Sequence, residues 1–101
     1  MEKFNPSTDK GPILGEYASM IYGSDRYAYK VVEIVKNKIK LQKCDMQCTD
    51  YYAQKYTYKG ELPGTPVTLV FRWGHWRYEL SNGAVKLMFT TTPNEHQNPE
   101  F

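Results

Sequence analysis

Between Gly23 and Lys43 the sequence describes a turn followed by a two-strand ribbon. Gly23-Ser24-Asp25-Arg26 is turn chemistry, because glycine permits positive φ and the serine and aspartate side chains accept bonds from nearby backbone N–H groups. The β-branched run Val31-Val32-Glu33-Ile34-Val35 predicts a strand over residues 27–36. Lys36-Asn37-Lys38 reverses the chain, with Asn37 expected to adopt the left-handed conformation of a tight hairpin. The return strand alternates, with Ile39 and Leu41 inward and Lys38, Lys40 and Gln42 outward.

The rest of the chain repeats this theme. Gly15–Tyr22 is a first strand. Residues 44–50 break the alternation and are expected to be a loop. A tyrosine-rich strand follows from Tyr51 to Leu62, with the evenly spaced Tyr52, Tyr56 and Tyr58 on one face. Residues 67–72 place Val67, Leu69 and Phe71 inward. Trp73-Gly74-His75 turns the chain, and Trp76, Tyr78 and Leu80 then alternate against Arg77 and Glu79. Ser81-Asn82-Gly83 is a second strong turn. Residues 84–90 bring Val85, Leu87 and Phe89 inward. Residues 1–14 form an irregular lead-in and residues 93–101 a tail with no pattern of its own, leaving one β domain over 15–92.

Six or seven short strands with tight turns and no helix predict an all-β fold, a small antiparallel SH3-like roll or barrel, since closure removes exposed edges. An OB-like barrel ranks second because it usually carries a helix. Nine Tyr, four Phe and two Trp are strand formers and support the same class. A chain of 101 residues supports one core without disulfides or metal. No apolar run approaches the ~20 residues of a membrane span, and the N-terminus lacks an apolar signal segment. The expectation is a cytoplasmic protein with no membrane partner.

Cys44 and Cys48 stand in an isolated Cys-x3-Cys, with His75 and His96 distant in sequence, so neither a metal site nor a cofactor is expected. No nucleophile–base pairing, Walker-type loop or His-Glu-x-x-His pattern occurs, which predicts a protein that is not an enzyme. The net charge of +2 is unevenly spread. Five lysines and one glutamate fall between Lys30 and Lys43, whereas the last fifteen residues carry Glu95 and Glu100 and no Lys or Arg. A basic ribbon of this kind attracts either that tail or a foreign anion.

Arg26, Arg72 and Arg77 are the only arginines, and each adjoins an aromatic: Tyr27, Trp73 and Trp76. A guanidinium fork reads phosphate or carboxylate, and an aromatic face stacks on a base. The candidate ligand-binding residues are therefore Asp25, Arg26, Tyr27, Tyr56, Tyr58, Arg72, Trp73 and Arg77. The competing reading is that the aromatics are core and the arginine stems cover them.

Met20-Ile21-Tyr22-Gly23-Ser24-Asp25-Arg26-Tyr27-Ala28, then Val32-Glu33-Ile34, Ile39-Lys40-Leu41-Gln42, Tyr56 and Tyr58, Phe71 and Trp76, and Asn98-Pro99-Glu100-Phe101 occur in this order. The series resembles a group of short phage and mobile-element proteins with a Ser-Asp-Arg-His-Ala stretch. Here Tyr27 replaces the group's usual histidine, and Lys43-Cys44 replaces its Arg-Asp. The resemblance implies a phage or mobile-element context, with the host cytoplasm as the site of action, and no mechanism.

Together these readings predict a non-enzymatic binding protein that sequesters a small anionic nucleotide-type ligand, such as a host immune signal. A small barrel has little interior volume, so a homo-oligomer with a pocket between protomers is expected. A second reading is an SH3-like interaction module docking on a host or phage protein through its tyrosines. Nucleic-acid binding along the Lys30–Lys43 ribbon ranks third, because the net charge is low.

Overall fold

The computed structural model describes residues 11–50, 52–81 and 83–96. Seven strands follow one another: β1 (Tyr17–Tyr22), β2 (Asp25–Val35), β3 (Lys38–Asp50), β4 (Lys55–Glu61), β5 (Val67–Arg72), β6 (His75–Tyr78) and β7 (Ala84–Thr90). Among the described residues there is no helix, and hence none long and apolar enough to cross a membrane. The sheet order is β2-β1-β7-β6-β5-β3, and β2 pairs with β3 to close an antiparallel six-strand barrel. β4 is the seventh strand and pairs with β3 alone.

Alternate strand positions fill the barrel, although Ser19, Ala28 and Val70 on the other face are buried as well. Ala18, Met20, Val31, Ile39, Leu41, Leu69 and Trp76 are buried in the core. Tyr29, Val67, Phe71, Tyr78, Val85, Leu87 and Phe89 pack against them. Full burial of each large aliphatic side chain contributes roughly 2 kcal/mol. The aromatics meet edge to face, Phe71 with Trp76 at 5.3 Å and Trp76 with Phe89 at 6.1 Å between ring centroids. The inward assignments of Val67, Leu69, Phe71, Val85, Leu87 and Phe89 match the alternation read from sequence.

Residues 44–50 are strand, not loop. β3 runs on through thirteen residues, its first half a stave of the barrel and its second half paired with β4. Cys44, Met46 and Cys48 alternate there with Asp45, Gln47 and Thr49. This ribbon leaves the barrel, so exposed polar residues are tolerated and the usual apolar alternation is absent. Bulges between Cys44 and Met46 and between Cys48 and Asp50 bend it.

Smaller expectations also change. β2 begins at Asp25 rather than at residue 27, and the first strand at Tyr17 rather than Gly15. The tyrosine strand spans 55–61, so Tyr52 lies in the turn, 73% exposed, and does not share a face with Tyr56 and Tyr58. Its first residue, Tyr51, lies outside the described residues. His75 belongs to β6, which leaves Trp73-Gly74 as a two-residue turn. β6 ends at Tyr78 and Leu80 is 97% exposed beyond it, because the chain is already turning back. Asn82, within the predicted Ser81-Asn82-Gly83 turn, lies outside the described residues, as do residues 1–10 and 97–101.

In the β2–β3 turn it is Lys36, at φ 57°, that takes positive φ, and Asn37 does not. Asn37 serves another purpose. Its carbonyl accepts the Phe71 N–H at 2.7 Å, and its Nδ2–H donates to the Phe71 carbonyl at 3.1 Å. The turn is thereby tied to β5.

Candidate functional site

The eight predicted ligand-binding residues fall in three places. The first is the β5–β6 hairpin, which places Arg72 at the end of β5, Trp73 in the turn and Arg77 in β6. Arg72 and His75 face each other in register, and Trp73 and Gly74 between them have φ of 54° and 80°. Positive φ at both central residues is the geometry for which Asn-Gly is preferred. A tryptophan there is an outlier that carries about 1 kcal/mol of backbone strain. The indole is 63% exposed. The Arg72 guanidinium lies 5.5 Å and that of Arg77 5.2 Å from the ring centroid. Arg77 is fixed in this pose because its Nε–H donates to the Arg72 carbonyl at 2.9 Å.

A cleft of about 350 Å³ opens beside this turn, between Phe71, Gly74, His75 and Trp76 on one side and Lys86 and Leu87 on the other. Its origin is the shortness of β6, which registers with β7 only at Trp76↔Val85 and Arg77↔Ala84. Past those pairs β7 registers with β1 alone. The floor is aromatic and aliphatic. Of the residues that line the cleft, His75 and Lys86 carry titratable groups and none is acidic. A volume of this size suits a single ring system.

The second place is the start of β2, with Asp25, Arg26 and Tyr27. Here the tail is not without structure. Arg26 and His96 form an isolated antiparallel bridge, with N–H···O distances of 2.6 and 2.9 Å. Arg26 Nε is buried and has no acceptor among the described residues. The Tyr27 hydroxyl is pushed up by burial, and the Asp25 and Glu95 carboxylates push in the same direction. Lys43 and Glu95 belong to this place, and sequence reasoning did not mark either as a site residue. Their Nζ and Oε1 stand 3.1 Å apart, and Lys43 lies over the Tyr27 and Tyr29 rings at 5.9 and 5.6 Å. The sequence signal was the opposition of a basic ribbon and an acidic tail.

The third place is the β3–β4 ribbon. Tyr58 registers with Met46 and Tyr56 with Cys48, so one face carries two tyrosines and two sulfur side chains. The Tyr58 ring meets Tyr17 edge to face at 5.7 Å, and its hydroxyl donates to Glu61 at 2.6 Å. That bond, with burial second, pushes the phenol up. The Tyr58 bond is also the main cause of the lowered Glu61 carboxyl, followed by Lys30, which lies 3.3 Å away.

Among the described residues no group of His, Cys, Asp and Glu side chains gathers closely enough to hold a metal ion. Cys44 is buried and Cys48 exposed, and both are free thiols. No family model, no curated protein and no solved structure matches this chain.

Proposed function

We propose that this chain is a non-enzymatic binding protein whose recognition element is the Arg72–Trp73–Arg77 turn, and that its ligand is an anion carrying a planar ring, of the nucleotide class. The observation that carries the reading is the exposed indole at positive φ beside two guanidiniums. Asparagine is preferred at such a position, and of the three described non-glycine residues at positive φ, Lys36, Gln54 and Trp73, only Trp73 presents an aromatic face there. The indole offers a face for a base, and the arginines offer forks for phosphate. The adjoining cleft, with Lys86 and His75 beside an aromatic floor, extends the site in the same chemical sense. The phage-like stretch Ser24-Asp25-Arg26-Tyr27-Ala28 favours a counter-defence role in a host cytoplasm, where such a protein sequesters a nucleotide-derived immune signal. The cleft is open and small, so a partner protomer closing it fits the proposal.

Calorimetric titration against cyclic di- and trinucleotides and ADP-ribose derivatives tests it. The expected result is saturable binding to one of these, weakened at least tenfold by Trp73→Ala and by Arg77→Ala with the barrel intact. Absence of binding to all of them rejects the proposal. A protein-docking reading is favoured by one feature, the half-exposed Met46, Tyr56 and Tyr58 face of the ribbon. Capture of a stoichiometric protein partner that Tyr56→Ala and Tyr58→Ala abolish, and Trp73→Ala leaves unchanged, would put it first.

A further inference from the structure

β2 and β3 do not stay together along their whole length. Their register runs from Val35↔Lys38 to Tyr29↔Lys43 and stops there, because β3 turns away to pair with β4. The edge of β2 at Arg26–Ala28 is left without β3, and the chain's own residues 94–96 lie along it. His96 exchanges both backbone bonds with Arg26. Glu95 Oε1 accepts the Ala28 N–H at 3.0 Å and an Nζ–H of Lys43 at 3.1 Å. The Asn94 carbonyl accepts the Ser19 hydroxyl at 2.6 Å. The Glu95 side chain is only 5% exposed. Lys43 is itself oriented by the Ala28 and Cys44 carbonyls, at 3.4 and 3.0 Å.

These contacts define a receptor groove. It has a strand edge for a backbone, a lysine and an amide for one carboxylate, and a hydroxyl for a carbonyl. We propose that residues 94–96 are an exchangeable strap in this groove, and that its second occupant is the same segment of another copy of this chain. The strap is joined to β7 only through Thr91, Thr92 and Pro93, of which the two threonines are exposed. Its backbone is paired through one bridge rather than a ladder, and bonds to Ser19, Ala28 and Lys43 hold the rest. Exchange between two copies preserves every contact of the strap, so only the three-residue hinge and the association term separate the closed and exchanged forms.

The test uses the full chain and a fluorescent peptide of residues 91–101. The strap competes in cis, so the wild-type chain binds the peptide weakly. The Glu95→Gln chain, whose own strap is loosened, is expected to bind it at least tenfold more tightly. A peptide carrying Glu95→Gln should lose at least tenfold in affinity for that chain, and Lys43→Met should abolish binding. Equal affinity for the two peptides, or no binding to a folded Glu95→Gln chain, overturns the proposal. Hydrogen exchange of the wild-type chain guards against a variant that fails to fold. The Arg26 and His96 amides are expected to exchange at least a hundredfold faster than those of Met20 and Leu41, and equal protection overturns the strap. Sedimentation at concentrations above the peptide's wild-type Kd should show dimers. Monomers throughout, with peptide binding intact, overturn the exchange between copies and leave the groove to a foreign acidic strand.

Discussion

Asn37 holds both the N–H and the C=O of Phe71, at 2.7 Å through its own carbonyl and at 3.1 Å through its side-chain amide. One residue in a turn thus continues the β3–β5 pairing past Lys38↔Val70, the last register pair. Arg72 and Trp73 follow Phe71 directly, so this clasp steadies the strand that presents them. Asn37→Ala removes the side-chain half and is expected to cost about 1 kcal/mol. Asn37→Asp sets an acceptor against the Phe71 carbonyl and should cost roughly twice as much. Urea unfolding measures both, and any ligand affinity at Trp73 should fall with them.

Trp73 separates strain from function. Its positive φ costs about 1 kcal/mol, which asparagine would relieve. The two arginine contacts return about 0.5 kcal/mol each at an exposed site. The terms nearly cancel, so Trp73→Asn should leave stability within about 0.5 kcal/mol of the wild type while removing the indole face. Trp73→Val places a β-branched side chain at positive φ without those contacts and should destabilise by about 2 kcal/mol. Thermal unfolding of the pair checks the sign of the difference.

Alkaline pH should destabilise the barrel. Burial pushes the Cys44 thiol from its ordinary 9.0 up to about 11, with Lys43 pulling the other way and Glu61 and Glu95 adding to the rise. The unfolded thiol loses its proton first, so between those two values the folded state holds more protons and stability falls as pH rises. The loss through that window is on the order of 2 kcal/mol. Burial and its hydrogen bond to Tyr78 raise Tyr22, and the bond to Glu61 and burial raise Tyr58, so both phenols push in the same direction at still higher pH. Urea midpoints from pH 8 to pH 11 should decline, and less steeply in Cys44→Ala. At pH 8 iodoacetamide should modify the exposed Cys48 and spare Cys44 until the chain unfolds.

Leu41 and Tyr52 stand toward opposite ends of the burial range. Leu41 is fully buried and Tyr52 lies in a turn, largely in solvent. Leu41→Ala should cost about 3 kcal/mol through lost transfer energy and an unfilled cavity. Tyr52→Ala should change stability by no more than about 0.5 kcal/mol. Denaturant titration distinguishes the two.

The barrel was legible because period-two alternation survives wherever one face of a strand is sealed. Ile39-Lys40-Leu41 and Val85-Lys86-Leu87 show it in residues that pack on one side only. The ribbon was not legible for the converse reason. Cys44, Met46 and Cys48 do alternate, yet weakly apolar sulfur side chains among Asp, Gln and Thr give little contrast. Leu80 misled in the opposite sense, as an apolar residue continuing a pattern that the backbone had already abandoned. Of the predicted site residues, Arg72, Trp73 and Arg77 come together because a two-residue turn places neighbours in sequence beside each other in space. Glu95 and Lys43 are 52 residues apart. No local pattern encodes such a meeting, which depends on where β3 departs from β2.

β3 belongs to two structures at once. Its first half is fixed by neighbours on both sides, whereas its second half has β4 on one side only. The far end of the ribbon, residues 52–54, therefore meets few constraints from the barrel. Length can be added or removed at that tip without changing the register of any other strand. It is the natural port for an inserted label or fused domain, and the segment where descendants of this chain are freest to acquire a new specificity on an unchanged frame.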